Sequence, residues 1–187
     1  LYKGQLSFGQ QTGLIPKPEL SFGGSLLKNS HARMPRPIDS KNFLHIVLKS
    51  DAATDDKRFT KKKGEVLERI HRRSHDYGLK IRKVAVASNH IHILVQLRSR
   101  RQLIAWIRGL TGVLARLMLG AEKGKAKLIE NKNGKQDHFW NLRPFTRVVF
   151  WGRDCTGVEN YIGRNILEAI GFIAYTPRAF KIIKSTA

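Results

Sequence analysis

Acidic residues are scarce. Asp and Glu number 14 against 35 Lys and Arg in 187 residues, a formal net charge of +21. In a chain that folds, such an excess points to a polyanionic partner, nucleic acid first among them. Cysteine is nearly absent: Cys155 stands alone, which excludes a disulfide framework and a four-cysteine zinc site. Apolar runs fall far short of the roughly 18 residues that a membrane span needs. No basic amphipathic helix stands alone at a terminus, which disfavours an anionic membrane surface as the partner. No signal-peptide pattern is apparent, so the expected compartment is the cytoplasm, in association with the nucleoid. No Gly-x-x-x-x-Gly-Lys phosphate loop occurs, so ATP is not expected to supply energy. What the chain does have is 41% hydrophobic residues, enough to bury a core in one domain with an arm.

The charge is uneven. Residues 57–83 carry +8 and residues 98–147 carry +9, whereas 42–56, 84–97 and 148–187 together are neutral. The neutral pieces are expected to hold the core and any chemistry, and the basic ones to line a phosphate backbone. Residues 1–41 are rich in Gly, Pro, Ser and Gln, lack periodicity and read as a basic extended arm. A domain over 42–175 and a basic tail over 176–187 complete the organisation.

Phe43–Lys49, Arg82–Ala87, His90–Leu97 and Pro144–Trp151 read as strands, the middle pair joined by a Ser88-Asn89 turn. Residues 61–77, 100–119 and 157–170 read as helices. The stripe expected to be buried on the second comprises Leu103, Ile104, Ile107, Leu110, Leu114 and Leu117. Thr156 and Glu159 suggest a capping box at the start of the third. Residues 120–138 read as a loop. The order predicts an α+β fold: a ferredoxin-like split βαβ with a four-stranded antiparallel sheet and an added C-terminal helix.

The segment richest in chemistry is Asn89-His90-Ile91-His92-Ile93-Leu94-Val95. Alternation puts His90 and His92 on one face and Ile91, Ile93 and Val95 on the core face. Two imidazoles so placed can hold a divalent cation, or can be ordinary histidines of a half-exposed strand. The predicted strands contain no Asp or Glu, which weighs against a two-metal nuclease. On the third helix Tyr161 and Asn165 lie one turn apart on one face, as a hydroxyl and an amide near the same site or as plain packing. His45, on the first strand, can face the site but reads rather as a core or edge histidine. Trp140, beside Phe139 and flanked by basic residues, is a candidate platform for a base.

His90-Ile-His92, preceded by Ser88-Asn89 and followed late in the chain by Tyr161-Ile-Gly-Arg-Asn165, resembles the single-tyrosine HUH transposases, especially the REP-associated tyrosine transposases. The segment from Phe139-Trp140 to Arg143-Pro144-Phe145-Thr146-Arg147 and the arm's Gly23-Gly24 and Arg36-Pro37 add to the resemblance. It implies that His90 and His92 ligate Mg²⁺ or Mn²⁺, with Asn165 as third ligand and Tyr161 as nucleophile. It also implies cleavage and joining of single-stranded DNA beside a hairpin through a 5′-phosphotyrosine, the added helix being catalytic. Relatives often follow the Asn with Pro, whereas here Ile166-Leu167 follows. Relatives are monomers or dimers, so a homodimer stays open. Phosphate contacts are expected from Lys61, Lys62, Lys63, Arg69, Arg72, Arg73, Arg100, Arg101, Arg143 and Arg147. Rival readings are an HUH replication initiator or relaxase, and a non-catalytic nucleic-acid binder. The last is disfavoured by the lack of aromatics on His90–Leu97.

Overall fold

Alternation along each strand decides which side chains share a face, and strand pairing turns that local rule into a sheet. The computed structural model describes residues 22–23, 36–125, 129–130, 136–141 and 143–175. Most of the arm and the tail from 176 lie outside the described residues. The strands are β1 (Phe22–Gly23), β2 (Phe43–Lys49), β3 (Lys80–Val86), β4 (His90–Gln96), β5 (Ile129–Glu130), β6 (Gln136–Asp137) and β7 (Phe145–Val149). The helices are α1 (Lys63–Asp76), α2 (Arg100–Leu119) and α3 (Arg153–Ala169).

The main sheet is antiparallel in the order β1-β7-β2-β4-β3. Its four longer strands with α1 and α2 form the predicted ferredoxin-like α+β plan. The arm adds a two-residue edge strand, Phe22 opposite Arg147 and Gly23 opposite Thr146. Farther along, Arg36 donates to the Pro144 carbonyl oxygen at 2.6 Å, so this part of the arm runs along the same edge. Residues 120–138, read as a loop, include the two-stranded ribbon β5–β6.

One face of the sheet is aliphatic. Leu44, Ile46 and Leu48 of β2 join Ile91, Ile93 and Val95 of β4 against Val66 and Ile70 of α1 and Leu103, Leu110 and Leu114 of α2. Trp106 is fully buried among them, with its indole N–H donating to Ser74 Oγ at 3.1 Å. The register of α2 therefore turns Ile104, expected inside, outward to 44% exposure. Ser99 caps α2 by accepting from the Gln102 N–H at 3.2 Å. Gly120 ends it at φ 60°, a left-handed conformation suited to glycine. The length and apolarity of α2 match those of a membrane span. Leu103, Trp106, Leu110, Val113, Leu114, Met118 and Leu119 are its side chains buried in the fold. Ahead of α1, residues 59–62 form a 3₁₀ turn that buries Phe59, so the helix begins two residues later than the pattern predicts.

α3 packs on the other face through Cys155, Val158 and Ile162 against Phe43, Ala85, Leu94 and Val149. It begins at Arg153, four residues before its predicted start. Gly152, at φ 87° and ψ −137°, makes the sharp entry that a side chain would oppose. The expected Thr156–Glu159 capping box does not form. Thr156 is already inside the helix, its hydroxyl bonded to the Gly152 carbonyl oxygen, and Glu159 pairs with Arg82. Asp154 secures the entry instead, accepting from the Phe150 N–H at 3.0 Å and from Arg147.

Candidate active site

Strand register builds the site in two rows across the α3 face. Ala85, His92, Val47 and Phe145 are successive cross-strand neighbours from β3 to β7. The next row is Lys83, Leu94, His45 and Arg147. His90 lies one step further along β4, opposite Lys49. His90 and His92 share this face, as predicted, with ring centroids 4.9 Å apart. The turn before them is held on both sides: Ser50 N–H donates to the Asn89 carbonyl oxygen and Phe59 N–H to that of Ser88, each at 2.9 Å.

α3 brings Tyr161 over these rows. Its ring centroid is 5.3 Å from that of His92 and 6.1 Å from that of His45, both nearly edge-on. Phenol and imidazoles of one chain thus meet on this face. Around them opens a cleft of about 920 Å³. Its charged lining consists of Lys49, Arg147 and Arg153 against one carboxylate, Asp154, which suits a phosphodiester.

The imidazole environments differ. His90 Nδ1 lies 2.8 Å from Asn89 Oδ1. An amide oxygen only accepts, so this contact favours the tautomer with the proton on Nδ1. His92 is 3% exposed, and its Nδ1 lies 3.1 Å from Nε2 of His45, which is also buried. Burial, and then the Arg147 guanidinium, push His45 down to about 4, so it is neutral at pH 7.

Asn165 is buried one turn beyond Tyr161, and its amide nitrogen donates to the Tyr161 carbonyl oxygen at 2.7 Å. It is not among the side chains lining the cleft. Among the described residues no three His, Cys, Asp or Glu side chains form a metal-holding group. Of the three expected ligands, the His90 and His92 imidazoles line the cleft. His90 with its second ring nitrogen fixed by a carbonyl, and His92 with a buried Nε2, fit a divalent cation.

Of the other expected contacts, only Arg147 lines the cleft. Lys61, Lys62, Lys63, Arg69, Arg72 and Arg73 belong to α1 and the turn before it, and Arg100 and Arg101 to α2. These elements cover the opposite face of the sheet. There Lys62 bonds the Leu117 carbonyl oxygen, Arg73 pairs with Asp76, and Arg100 bonds the Arg36 carbonyl oxygen. Arg143 is exposed with φ 58° and lies outside the cleft lining. Trp140 is engaged in packing: its ring stacks on Phe59 with centroids 5.4 Å apart, and its N–H donates to the Thr111 carbonyl oxygen. Sequence reasoning missed Lys49, Asn89, Arg153, Asp154 and Tyr175 as cleft residues; His45 is both buried, as the core reading had it, and part of the lining, as the site-facing alternative had it. The parity of β2 carried a signal for His45, since Leu44, Ile46 and Leu48 must face the other way.

The family model for IS200-like transposases matches residues 41–165, and the chain belongs to that family. Among solved structures, a REP-associated tyrosine transposase bound to a REP hairpin is similar at 14% identity and a TM-score of 0.56 over 76% of each chain. A proposed transposase from Deinococcus radiodurans R1 is similar at 12% identity and a TM-score of 0.42, over 74% of this chain and 98% of that one. No curated protein matches.

Proposed function

We propose that this transposase cleaves and rejoins single-stranded DNA beside a hairpin through a covalent 5′-phosphotyrosine on Tyr161. The observation that carries the reading is the phenol ring of Tyr161 set 5.3 Å from His92 in its own chain, at the mouth of a cationic cleft. His90 Nε2, His92 Nε2 and Asn165 Oδ1 would hold Mg²⁺ or Mn²⁺, which when bound supplies charge stabilisation to the scissile phosphate. Lys49, Arg147 and Arg153 attract and orient the phosphodiester. Tyr161 Oη forms a bond to phosphorus as the P–O3′ bond breaks. The proton lost by the phenol balances the one gained by the departing 3′-oxygen. A later 3′-hydroxyl reverses the exchange, so the bond energy is retained and no ATP is consumed. The similarity to a transposase bound to a REP hairpin supports a hairpin as the flanking element.

The test is incubation of the protein with hairpin-bearing single-stranded DNA and Mn²⁺, resolved on a denaturing gel. A covalent protein–DNA adduct is expected from the wild type. Tyr161→Phe should form none, at least about 1,000-fold less, and His92→Ala should be severely depleted. An undiminished adduct in Tyr161→Phe would reject Tyr161 as nucleophile.

A further inference from the structure

We propose that His45 is a positioning residue: its Nε2 accepts the Nδ1–H of His92 and so keeps the ring lone pair of His92 on Nε2, the nitrogen that would ligate a cation. The inference rests on the metal reading above and concerns a side chain that does not itself ligate. The two imidazoles are anchored differently. His90 is held by Asn89 Oδ1, an acceptor that favours its Nδ1–H form. His92 is held by another imidazole, whose Nε2 can either donate or accept. If His45 donated, His92 would carry its proton on Nε2 and could not ligate. If His45 accepts, both candidate ligands take the same Nδ1–H form.

The surroundings hold this contact rigid. His45 is 6% exposed and His92 3%, with ring planes 18° apart. They come from adjacent central strands whose register is continuous from Leu44 to Lys49. Phe145 and Tyr161 close on His45 edge-on, at 6.2 and 6.1 Å. A neutral partner that fixes the remote nitrogen of a ligating histidine contributes on the order of 10–100-fold in metal affinity.

The test begins with the metal-free wild type. Long-range ¹H–¹⁵N spectra of the ¹⁵N-histidine-labelled protein at neutral pH report which ring nitrogen of His92 is protonated. The expected form is Nδ1–H, and an Nε2–H form overturns the proposal whether or not metal binds. Mn²⁺ titration followed by electron paramagnetic resonance then compares His45→Phe, which keeps a ring but no acceptor, with His45→Gln, which keeps an oxygen acceptor. Affinity should fall about 10–100-fold in the first and largely recover in the second. Wild-type affinity in a folded His45→Phe protein overturns the proposal. A wild type that shows Nδ1–H yet binds no Mn²⁺ overturns the metal reading and leaves the tautomer assignment standing.

Discussion

The two faces of one sheet do opposite work. On the α1–α2 side, β2 and β4 present Leu44, Ile46, Leu48, Ile91, Ile93 and Val95, nearly all solvent-free. On the α3 side the same strands present His45, Val47, His90 and His92. Strand alternation places these two sets within one residue of each other along the chain. The first set can be filled by shape and apolarity alone. The second retains buried polar rings, which is affordable only where each nitrogen is hydrogen-bonded or ligated. The contrast shows how a small chain divides the tasks: one face secures the strands, so the other can hold costly groups in register.

If that division is real, damage to the aliphatic face should reduce stability without altering the chemistry of what remains folded. Trp106→Ala removes the largest fully buried side chain and the donor to Ser74. The expected loss is about 3–5 kcal/mol, read from urea unfolding. Adduct yield per folded molecule should stay close to that of the wild type. A selective loss of adduct at unchanged stability would break the division.

A sharper contrast comes from acid. His45 falls from an ordinary 6.5 in the unfolded chain to about 4 in the fold. Between these values the unfolded chain binds a proton that the native state refuses, so stability drops as pH falls from about 6.5 to 4 and levels off below. The window corresponds to roughly 3 kcal/mol in the metal-free protein. His45→Gln has no such proton, and its stability between pH 7 and pH 4.5 should decline less by that order. Equal slopes for the two proteins would mean that His45 is not held neutral.

Much of the cleft face was legible in advance because it is written in local periodicities. A period of two puts His90 with His92, and a helical turn puts Tyr161 with Asn165. The start of α3 was not legible, because Thr-x-x-Glu is a capping pattern that Gly152 pre-empts by turning the chain earlier. Nor was the fate of Trp140. Its partner Phe59 sits in a 3₁₀ turn with no repeat to announce it, and the stacking joins segments about 80 residues apart. His45 falls between these cases. Its face follows from the parity of β2, but its contact with His92 requires knowing that β2 and β4 are neighbours, which is a property of the whole sheet.

The smallest expected effect tests whether the site face gives up stability to stay open. Gly112 in α2 and Gly157 in α3 both lie inside helices, and a Cβ at either meets nothing within 4 Å. Glycine at such positions costs about 1 kcal/mol relative to alanine. Gly112→Ala and Gly157→Ala should therefore each raise stability by roughly that amount, a melting shift of about 2–4 °C in a chain of this size. They part company in function. Gly112 is remote from the cleft, whereas Gly157 lines it one turn before Tyr161. A methyl group at 157 narrows the approach to the phenol, so oligonucleotide binding should weaken about 2–10-fold there, a difference on the order of 1 kcal/mol. At 112 binding should be unchanged. Fluorescence anisotropy with a labelled single strand distinguishes the two. Equal stabilisation with equal binding would mean that Gly157 is kept for a reason other than access.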